Sequence, residues 1–286
     1  MLTPFRGDDV DEPRFAALVE RQAAAEVDGL VVCALPGEGP TLTAEERRRI
    51  VRIAVDAARG RMTVVAATGT GSTQKSIDLT RAAGDEGASA VIVVTPYYSR
   101  PTQEGIRRHY EAIVRAGGLP IVIENAPERT NIEIAPETIA QLAEIEEIVG
   151  FVDETRSHLR RLENAMACGN RIRRFVSGDL ACLPYGPRPH GCVSVAANIA
   201  PAFYRRVWLS QTRMGGGETD DTLRRAAQLC RALGDEPEAA TAKYALSQLI
   251  ADFDPHVRLP LVRPADPRLT LIRDALAALP ESARED

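Results

Sequence analysis

Apolar and polar residues alternate between two kinds of segment along the first two-thirds of the chain. One kind is a short apolar run rich in β-branched residues, such as 29–33, which is typical of a buried parallel strand. The other is a longer segment in which apolar residues recur every three or four positions, such as 103–116, which predicts an amphipathic helix. The run 148–155 predicts a buried strand that ends in the carboxylates of Asp153 and Glu154.

Eight strand-like runs are present, and helical segments alternate with them. The predicted strands lie at 2–5, 29–33, 62–67, 88–94, 120–124, 148–155, 172–176 and 191–195. The predicted helices lie at 12–27, 43–58, 74–86, 103–116, 136–143, 157–168 and 200–211, with a short helical turn after the seventh strand. This alternation favours an α/β fold of the (β/α)₈ TIM-barrel type over an open doubly wound sheet. The first strand is not followed by a GxGxxG segment, which further disfavours a dinucleotide-binding fold.

The pattern changes after the glycine-rich segment 214–217, because only helices are predicted beyond it. They lie at about 220–233, 237–253 and 267–279. We therefore predict a barrel at 1–213 and a C-terminal appendage of three helices at 214–286. The appendage either covers the barrel or builds an oligomer contact, and its sequence favours neither alternative.

Composition narrows the classes of function. The chain is 44% hydrophobic and 26% charged, with a formal net charge of -5, so it has no basic field for nucleic acid or an anionic membrane. The five cysteines form no CxxC pair, which is typical of reduced cytosolic thiols. No run has the length of a membrane span or the core of a signal peptide. We expect a cytoplasmic protein without nucleic-acid or membrane partners.

Polar residues at the predicted strand ends are the candidates for chemistry, because active sites of such barrels collect there. Five of them are acidic: Glu38, Glu124, Asp153, Glu154 and Asp179. If several converge, their oxygens suit Mg²⁺ or Mn²⁺; otherwise they cap helices, bind backbone or face solvent. Glu124 is a candidate general acid–base, or a structural partner of Arg129. Arg129 suits bidentate recognition of a carboxylate, or a structural salt bridge.

Five motifs in these loops carry a resemblance to a known family. They are Gly-Thr-Gly at 69–71, Thr-Pro-Tyr-Tyr-Ser-Arg-Pro at 95–101, Asn-Ala-Pro-Glu-Arg-Thr at 125–130, Ser-Gly-Asp at 177–179 and His-Gly-Cys-Val-Ser-Val-Ala-Ala-Asn at 190–198. In order and spacing they resemble the dihydrodipicolinate synthase / N-acetylneuraminate lyase family, over about 2–279. The resemblance implies a (β/α)₈ barrel with three C-terminal helices, a homo-oligomer (dimer or tetramer), and class I lyase chemistry without a cofactor. In that chemistry a lysine on the sixth strand forms a Schiff base with pyruvate.

The resemblance also implies roles for residues that match its motifs. Tyr98 would reach the active site of a neighbouring subunit, and Arg129 would bind a substrate carboxylate. The other residues expected to bind substrate by this match are Gly37, Glu38, Gly178 and Val193. The chain begins close to the segment that ends the first strand in the family, so we expect that strand to be short here, or the natural start to lie upstream.

Three positions depart from the family pattern. Val152 occupies the position of the lysine, Glu124 that of the strand-end tyrosine, and Leu35-Pro36 that of the paired threonines. A valine has no amine, so we expect that the chain does not use the pyruvate imine. The sequence contains only two lysines: Lys75, predicted as a solvated helix-start residue, and Lys243, which lies in the tail.

These departures define two hypotheses of function. The first is a divergent lyase or hydratase that acts non-covalently on a small carboxylate-bearing substrate. In it Glu124, Asp153 and Tyr98 would carry the chemistry without a metal. The second is an inactive homologue that binds a metabolite or a paralogous partner.

Overall fold

A computed structural model of the protein describes residues 1–178, 188–212, 220–234 and 237–284. The chain divides into two compact units. The first unit comprises Met1–Val64 and the described residues of Ser194–Asp286. The second unit comprises the described residues of Val65–Leu180 and Pro184–Val193.

The described strands form a small hairpin and one larger sheet. The hairpin pairs β1 (Phe5–Arg6) with β2 (Asp9–Val10) antiparallel. The strands of the larger sheet are β3 (Gly29–Val32), β4 (Thr63–Ala67), β5 (Ala90–Val94), β6 (Ile121–Asn125), β7 (Ile148–Asp153), β8 (Arg173–Ser177) and β9 (Gly191–Val193). They neighbour one another in chain order, and every pair from β4 to β9 is parallel.

Helices alternate with the strands of the larger sheet. Up to the end of β9 they are α1 (Glu12–Ala24), α2 (Ala44–Ala58), α3 (Thr73–Asp85), α4 (Gln103–Gly117), α5 (Pro127–Thr130), α6 (Pro136–Leu142) and α7 (His158–Cys168). After β9 they are α8 (Pro201–Thr212), α9 (Asp220–Gly234), α10 (Glu238–Ser247), α11 (Asp266–Ala278) and α12 (Glu281–Arg284). No described helix is long and apolar enough to cross a membrane.

Side-chain caps fix where several of these helices begin. The side chain of Thr43 accepts from the backbone of Glu46, and the Glu46 carboxylate accepts from the Thr43 N–H, so a capping box begins α2. Ser72, Thr102 and Ser157 cap α3, α4 and α7 in the simpler one-sided way. Ser157 lies four residues after the end of β7 and Ser72 five residues after the end of β4, whereas a longer loop precedes Thr102.

The packing of β7 explains its glycine. Phe151 and Val152 are buried, as the apolar run predicts. A Cβ on Gly150 would lie 3.1 Å from the ring of Phe175 and 3.3 Å from the methyl groups of Val122. Glycine at this position therefore lets the side chains of the two neighbouring strands approach β7 closely.

Seven of the eight predicted barrel strands are confirmed, and the first is wrong. Phe5 pairs in the antiparallel hairpin, and Met1–Pro4 has no assigned strand. Individual hydrogen bonds hold this segment in place of a strand-to-strand ladder. The Met1 amine donates to the Val31 carbonyl (2.6 Å), and the Leu2 N–H donates to Asn198 Oδ1 (3.1 Å). It nevertheless lies beside β3, where the first strand was expected.

The tail is helical, as predicted, but the helix predicted at 237–253 ends at Ser247. Helices α8 to α11 share one apolar core of the first unit, with Phe203, Leu229 and Ile272 at its centre. The predicted turn after the seventh strand and the glycine-rich break at 214–217 fall at residues outside the described ranges. The division into 1–213 and 214–286 therefore stays a prediction.

Candidate functional site

The register of β6 and β7 in the second unit sorts the predicted site residues onto two faces. Glu124 is opposite Val152, and Asn125 is opposite Asp153. Because successive side chains of a strand point to opposite faces, Glu124 and Val152 share one face of the sheet while Asn125 and Asp153 share the other. The structure therefore brings Glu124 and Val152 together and places Asp153 away from both.

Asp153 is buried at the centre of a hydrogen-bond network. Its Oδ1 accepts from the Thr155 N–H (3.0 Å) and from Asn125 Nδ2 (3.3 Å). Its Oδ2 accepts from Asn164 Nδ2 (3.0 Å) on α7. Asn125 also donates to Thr155 Oγ1 (3.1 Å) and accepts from the Ile134 N–H (3.2 Å). Both carboxylate oxygens are thus occupied in tying the ends of β6 and β7 to α7, which is a positioning function.

Glu124 occupies the end of β6, with its side chain partly exposed. Its carbonyl accepts from both the N–H (3.1 Å) and the hydroxyl (3.2 Å) of Thr95, which joins β6 to the end of β5. The hydroxyl of Tyr110 donates to the Val93 carbonyl (3.0 Å), and burial raises the pKa of that phenol. The strand ends around Glu124 are therefore well fixed, while Val152 beside it is buried and apolar.

Arg129 lies in the short helix α5, which follows β6 directly. Its Nε lies 3.5 Å from Glu154 Oε2, and its side chain is 43% exposed. An exposed pair of this kind contributes about 0.2–1 kcal/mol to stability, so an incoming carboxylate displaces little. The predicted binding role and the predicted structural salt bridge are therefore compatible at this residue.

Tyr98 is 97% exposed, and its neighbour Tyr97 is 42% exposed. The φ of Tyr98 is 71°, in the left-handed region that non-glycine residues rarely adopt. This conformation projects an aromatic ring into solvent beyond β5. The backbone of Gly71 packs under Tyr97, where a Cβ would lie 3.1 Å from the Tyr97 carbonyl oxygen.

Gly178 and Val193 lie near one another at the ends of β8 and β9. Ser177 is opposite Val193 in the sheet, and Gly178 follows Ser177 with a φ of 58°. The glycine allows the chain to turn out of β8 without strain. Asp179, the acidic candidate that follows, lies outside the described residues.

Gly37 and Glu38 belong to the first unit, in a loop built from two 3-10 turns at Leu35–Gly37 and Gly39–Thr41. Glu38 is fully buried, and its carboxylate forms an ion pair with Lys243 of α10. From the sequence, Lys243 was placed in the tail and was given no role. Its signal was available, because a lone lysine among Ala240, Ala242 and Ala245 belongs to a helix with apolar surroundings.

Two asparagines of the network around Asp153 were not singled out as functional. Asn125 was part of a quoted motif, and Asn164 lies in the middle of α7 without any motif. The acidic candidates were also considered as metal ligands. In the part of the chain that the structure describes, no three or more His, Cys, Asp or Glu residues lie close enough together to hold a metal ion.

The chain thus belongs to the TIM-barrel class, with its candidate site residues at the carboxyl ends of parallel strands. The model of the dihydrodipicolinate synthetase family matches residues 1–279. A 4-hydroxy-tetrahydrodipicolinate synthase of Nitrobacter hamburgensis is 38% identical over 278 residues, 96% of this chain and 93% of the relative. The synthase of Phenylobacterium zucineum is 41% identical over 253 residues, covering 87% and 85%.

Solved structures agree. Dihydrodipicolinate synthase of Acinetobacter baumannii, in a complex with pyruvate, matches with a TM-score of 0.90 and 32% identity, covering 97% of this chain and 96% of that chain. The synthase of Aquifex aeolicus matches with a TM-score of 0.90 and 29% identity, covering 97% and 95%. The chain belongs to the dihydrodipicolinate synthetase family.

These relatives overturn the functional expectation drawn from Val152. We expected a divergent lyase or hydratase without a Schiff base, or an inactive binding homologue. Relatives 36–41% identical over most of the chain are 4-hydroxy-tetrahydrodipicolinate synthases, and the family's chemistry is that of a lysine Schiff-base lyase. That expectation was wrong because it gave the single substitution at residue 152 more weight than the similarity to synthases along most of the chain.

Proposed function

We propose that the chain is a lyase that binds pyruvate and catalyses the 4-hydroxy-tetrahydrodipicolinate synthase reaction of its relatives. The observation that carries this proposal is the similarity to synthases along almost the whole chain, 38% over 278 residues in one relative. The described geometry supports it, since the matching loops lie at the ends of parallel strands, where active sites of this fold form.

The amine of the reaction needs a source other than residue 152. The resemblance puts the family's lysine at Val152, whose side chain has no nucleophile. The sequence contains two lysine side chains. Lys243 is buried and paired with Glu38 in the first unit, whereas Lys75 is exposed in the first turn of α3, in the same unit as Glu124 and Val152. Lys75 is therefore the lysine that pyruvate reaches from solvent.

Arg129 supplies the carboxylate recognition. Its side chain is 43% exposed in the short helix α5 after β6, so a substrate carboxylate can compete with Glu154 for it at little cost. Glu124 stands beside Val152 on the same face and is the candidate proton carrier. Asp153 keeps both strand ends in place through its three donors.

The resemblance to the family implies that the chain assembles into a homo-oligomer. Tyr98 projects from β5 with a nearly fully exposed ring, and in a dimer or tetramer it would enter the site of a neighbouring subunit. This role explains why a large aromatic residue is kept in a left-handed conformation on the surface, which costs about 1–3 kcal/mol.

Formation of 4-hydroxy-tetrahydrodipicolinate from pyruvate and aspartate semialdehyde, which supplies the other four carbons and the nitrogen, tests the reaction when it is followed by mass spectrometry with the purified chain. We expect product from the wild type and a pyruvate affinity about tenfold to hundredfold weaker in R129M, because a charge-assisted bond contributes about 1.5–3 kcal/mol. The matched control is R156M, which removes an arginine that is 80% exposed and paired with Glu128 (2.8 Å). Absence of product and of pyruvate binding in the wild type would contradict the proposal.

A further inference from the structure

The loop 34–41 of the first unit is fixed in shape by its own glycines. A Cβ on Gly39 would lie 1.9 Å from the Cys33 carbonyl oxygen, and a Cβ on Gly37 would lie 2.7 Å from the Met1 carbonyl oxygen. Glu38 between them has a φ of 55°, in the left-handed region. A non-glycine residue holds this conformation only when its surroundings impose it.

Those surroundings are ionic and buried. One oxygen of the Glu38 carboxylate pairs with Lys243 Nζ, and the other accepts from the Arg258 N–H (2.9 Å). Lys243 also donates to the His256 carbonyl (2.8 Å), and both Lys243 and Glu38 have fully buried side chains. Both carboxylate oxygens of Glu38 are thus bound by the C-terminal part of the chain, although 205 residues separate Glu38 from Lys243.

Arg258 connects the same loop to α2. Its guanidinium forms a two-point pair with the Glu46 carboxylate, at 2.9 and 2.6 Å, and donates to the Thr41 carbonyl (3.2 Å) at the end of the loop. Lys243 Nζ lies 3.9 Å and the Arg258 guanidinium carbon 4.3 Å from the centre of the Phe5 ring. Two cations and two carboxylates are therefore grouped around one aromatic ring, with charges that balance.

We propose that Lys243 is a positioning residue for pyruvate binding, which acts by holding Glu38 and through it the loop 34–41. The inference rests on the proposed function, since the resemblance implies that Gly37 and Glu38 bind substrate. Helix α10 would thus position the loop 34–41 without any of its residues touching substrate. Burial lowers the pKa of Lys243 to about 8, against the opposing effect of Glu38, so the ammonium is kept by its carboxylate partner.

Hydrogen exchange tests the inference in the full chain. We expect K243M to raise amide exchange within 34–41 by about tenfold or more, because it leaves the Glu38 carboxylate buried without its cation. The amides that report are those of Glu38, Gly39 and Thr41, which donate to Leu35, Ala34 and Glu38. T241V is the matched control: Thr241 is equally buried on α10, but its hydroxyl donates to Leu233 and Glu238 instead of the loop.

Two further variants keep the test decisive if K243M does not fold. E38Q removes the carboxylate charge, and the double variant K243M/E38Q removes both charges together. We expect E38Q to loosen the loop, and the double variant to be more stable than K243M, since no charge is left buried alone. Equal exchange in 34–41 for wild type, E38Q and the double variant would overturn the inference.

A binding measurement separates this inference from the proposed function. Calorimetric titration with pyruvate is expected to give about tenfold weaker binding for the Lys243 variants than for T241V. If the wild type itself binds no pyruvate, the proposed function fails while the exchange experiment still decides whether Lys243 holds the loop. Reductive trapping of pyruvate on Lys243 itself would make that residue the reacting amine and would also overturn the positioning role.

Discussion

Replacing Asp153 with alanine tests whether the network at the ends of β6 and β7 is a structural anchor. The substitution removes the acceptor of three N–H donors in the second unit. Asn125 keeps its second acceptor, Thr155 Oγ1, whereas the Thr155 N–H and Asn164 Nδ2 lose the bonds described above. Both donors belong to buried residues.

The magnitude follows from these two donors. A buried polar group left without a partner costs about 1–3 kcal/mol, and Asp153 is only 8% exposed, so water compensates little. We therefore expect D153A to lower the free energy of unfolding by about 2–4 kcal/mol, and D153N, which keeps one acceptor oxygen, by less. E154Q is the control, because the neighbouring Glu154 forms only a partly exposed pair with Arg129 and should cost under about 1 kcal/mol.

Urea unfolding followed by circular dichroism measures all three variants under the same conditions. We also expect weaker catalysis in D153A, since the network holds the strand ends that position Glu124 and Arg129. A D153A protein as stable as E154Q, but with a displaced pH profile of turnover, would refute the anchor and would return Asp153 to the proton-transfer role first expected of it.

Two further predictions concern two glycines and one buried histidine. G39A should disrupt the loop 34–41, because the added Cβ would overlap the Cys33 carbonyl oxygen. G84A in α3 should stabilise the protein by about 0.5–1 kcal/mol, because its Cβ would meet Leu119 at an ordinary contact distance of 3.5 Å. Thermal unfolding of the two variants measures both effects. Burial lowers the pKa of His109 to about 4, so stability that is present above pH 6.5 is lost as pH falls towards 4. When the pH is lowered from 7 to 5, the free energy of unfolding measured in urea should fall by about 2 kcal/mol less for H109Q than for the wild type.

The alternation of apolar runs and amphipathic segments was enough to predict most of the fold. β-branched runs such as 90–94 could only be buried strands between helices, and the Thr43–Glu46 capping box defined the start of α2. The first strand failed because Met1–Pro4 is held by side-chain and single backbone bonds, which leave no periodic signal. The end of α10 failed because apolar residues continue after Ser247 in a non-helical segment.

The positions of the candidate residues could be predicted from the sequence, whereas their roles stay predictions. Strand ends are readable from sequence, so Glu124, Val152 and Arg129 could be placed at or just after the ends of β6 and β7. The opposite faces of Val152 and Asp153 follow from their adjacency in one strand, and this information was present but not used. The pairing of Glu38 with Lys243 was not readable, because it joins residues 205 positions apart through tertiary packing alone.

Borohydride reduction in the presence of pyruvate shows whether this chain forms the lysine imine of its family. We expect the wild-type chain to gain the mass of one reduced pyruvate and peptide mapping to place it on Lys75. K75M should gain none, while K243M should still gain it. A wild-type chain that acquires no adduct under conditions in which a synthase relative is fully labelled would contradict the proposed reaction.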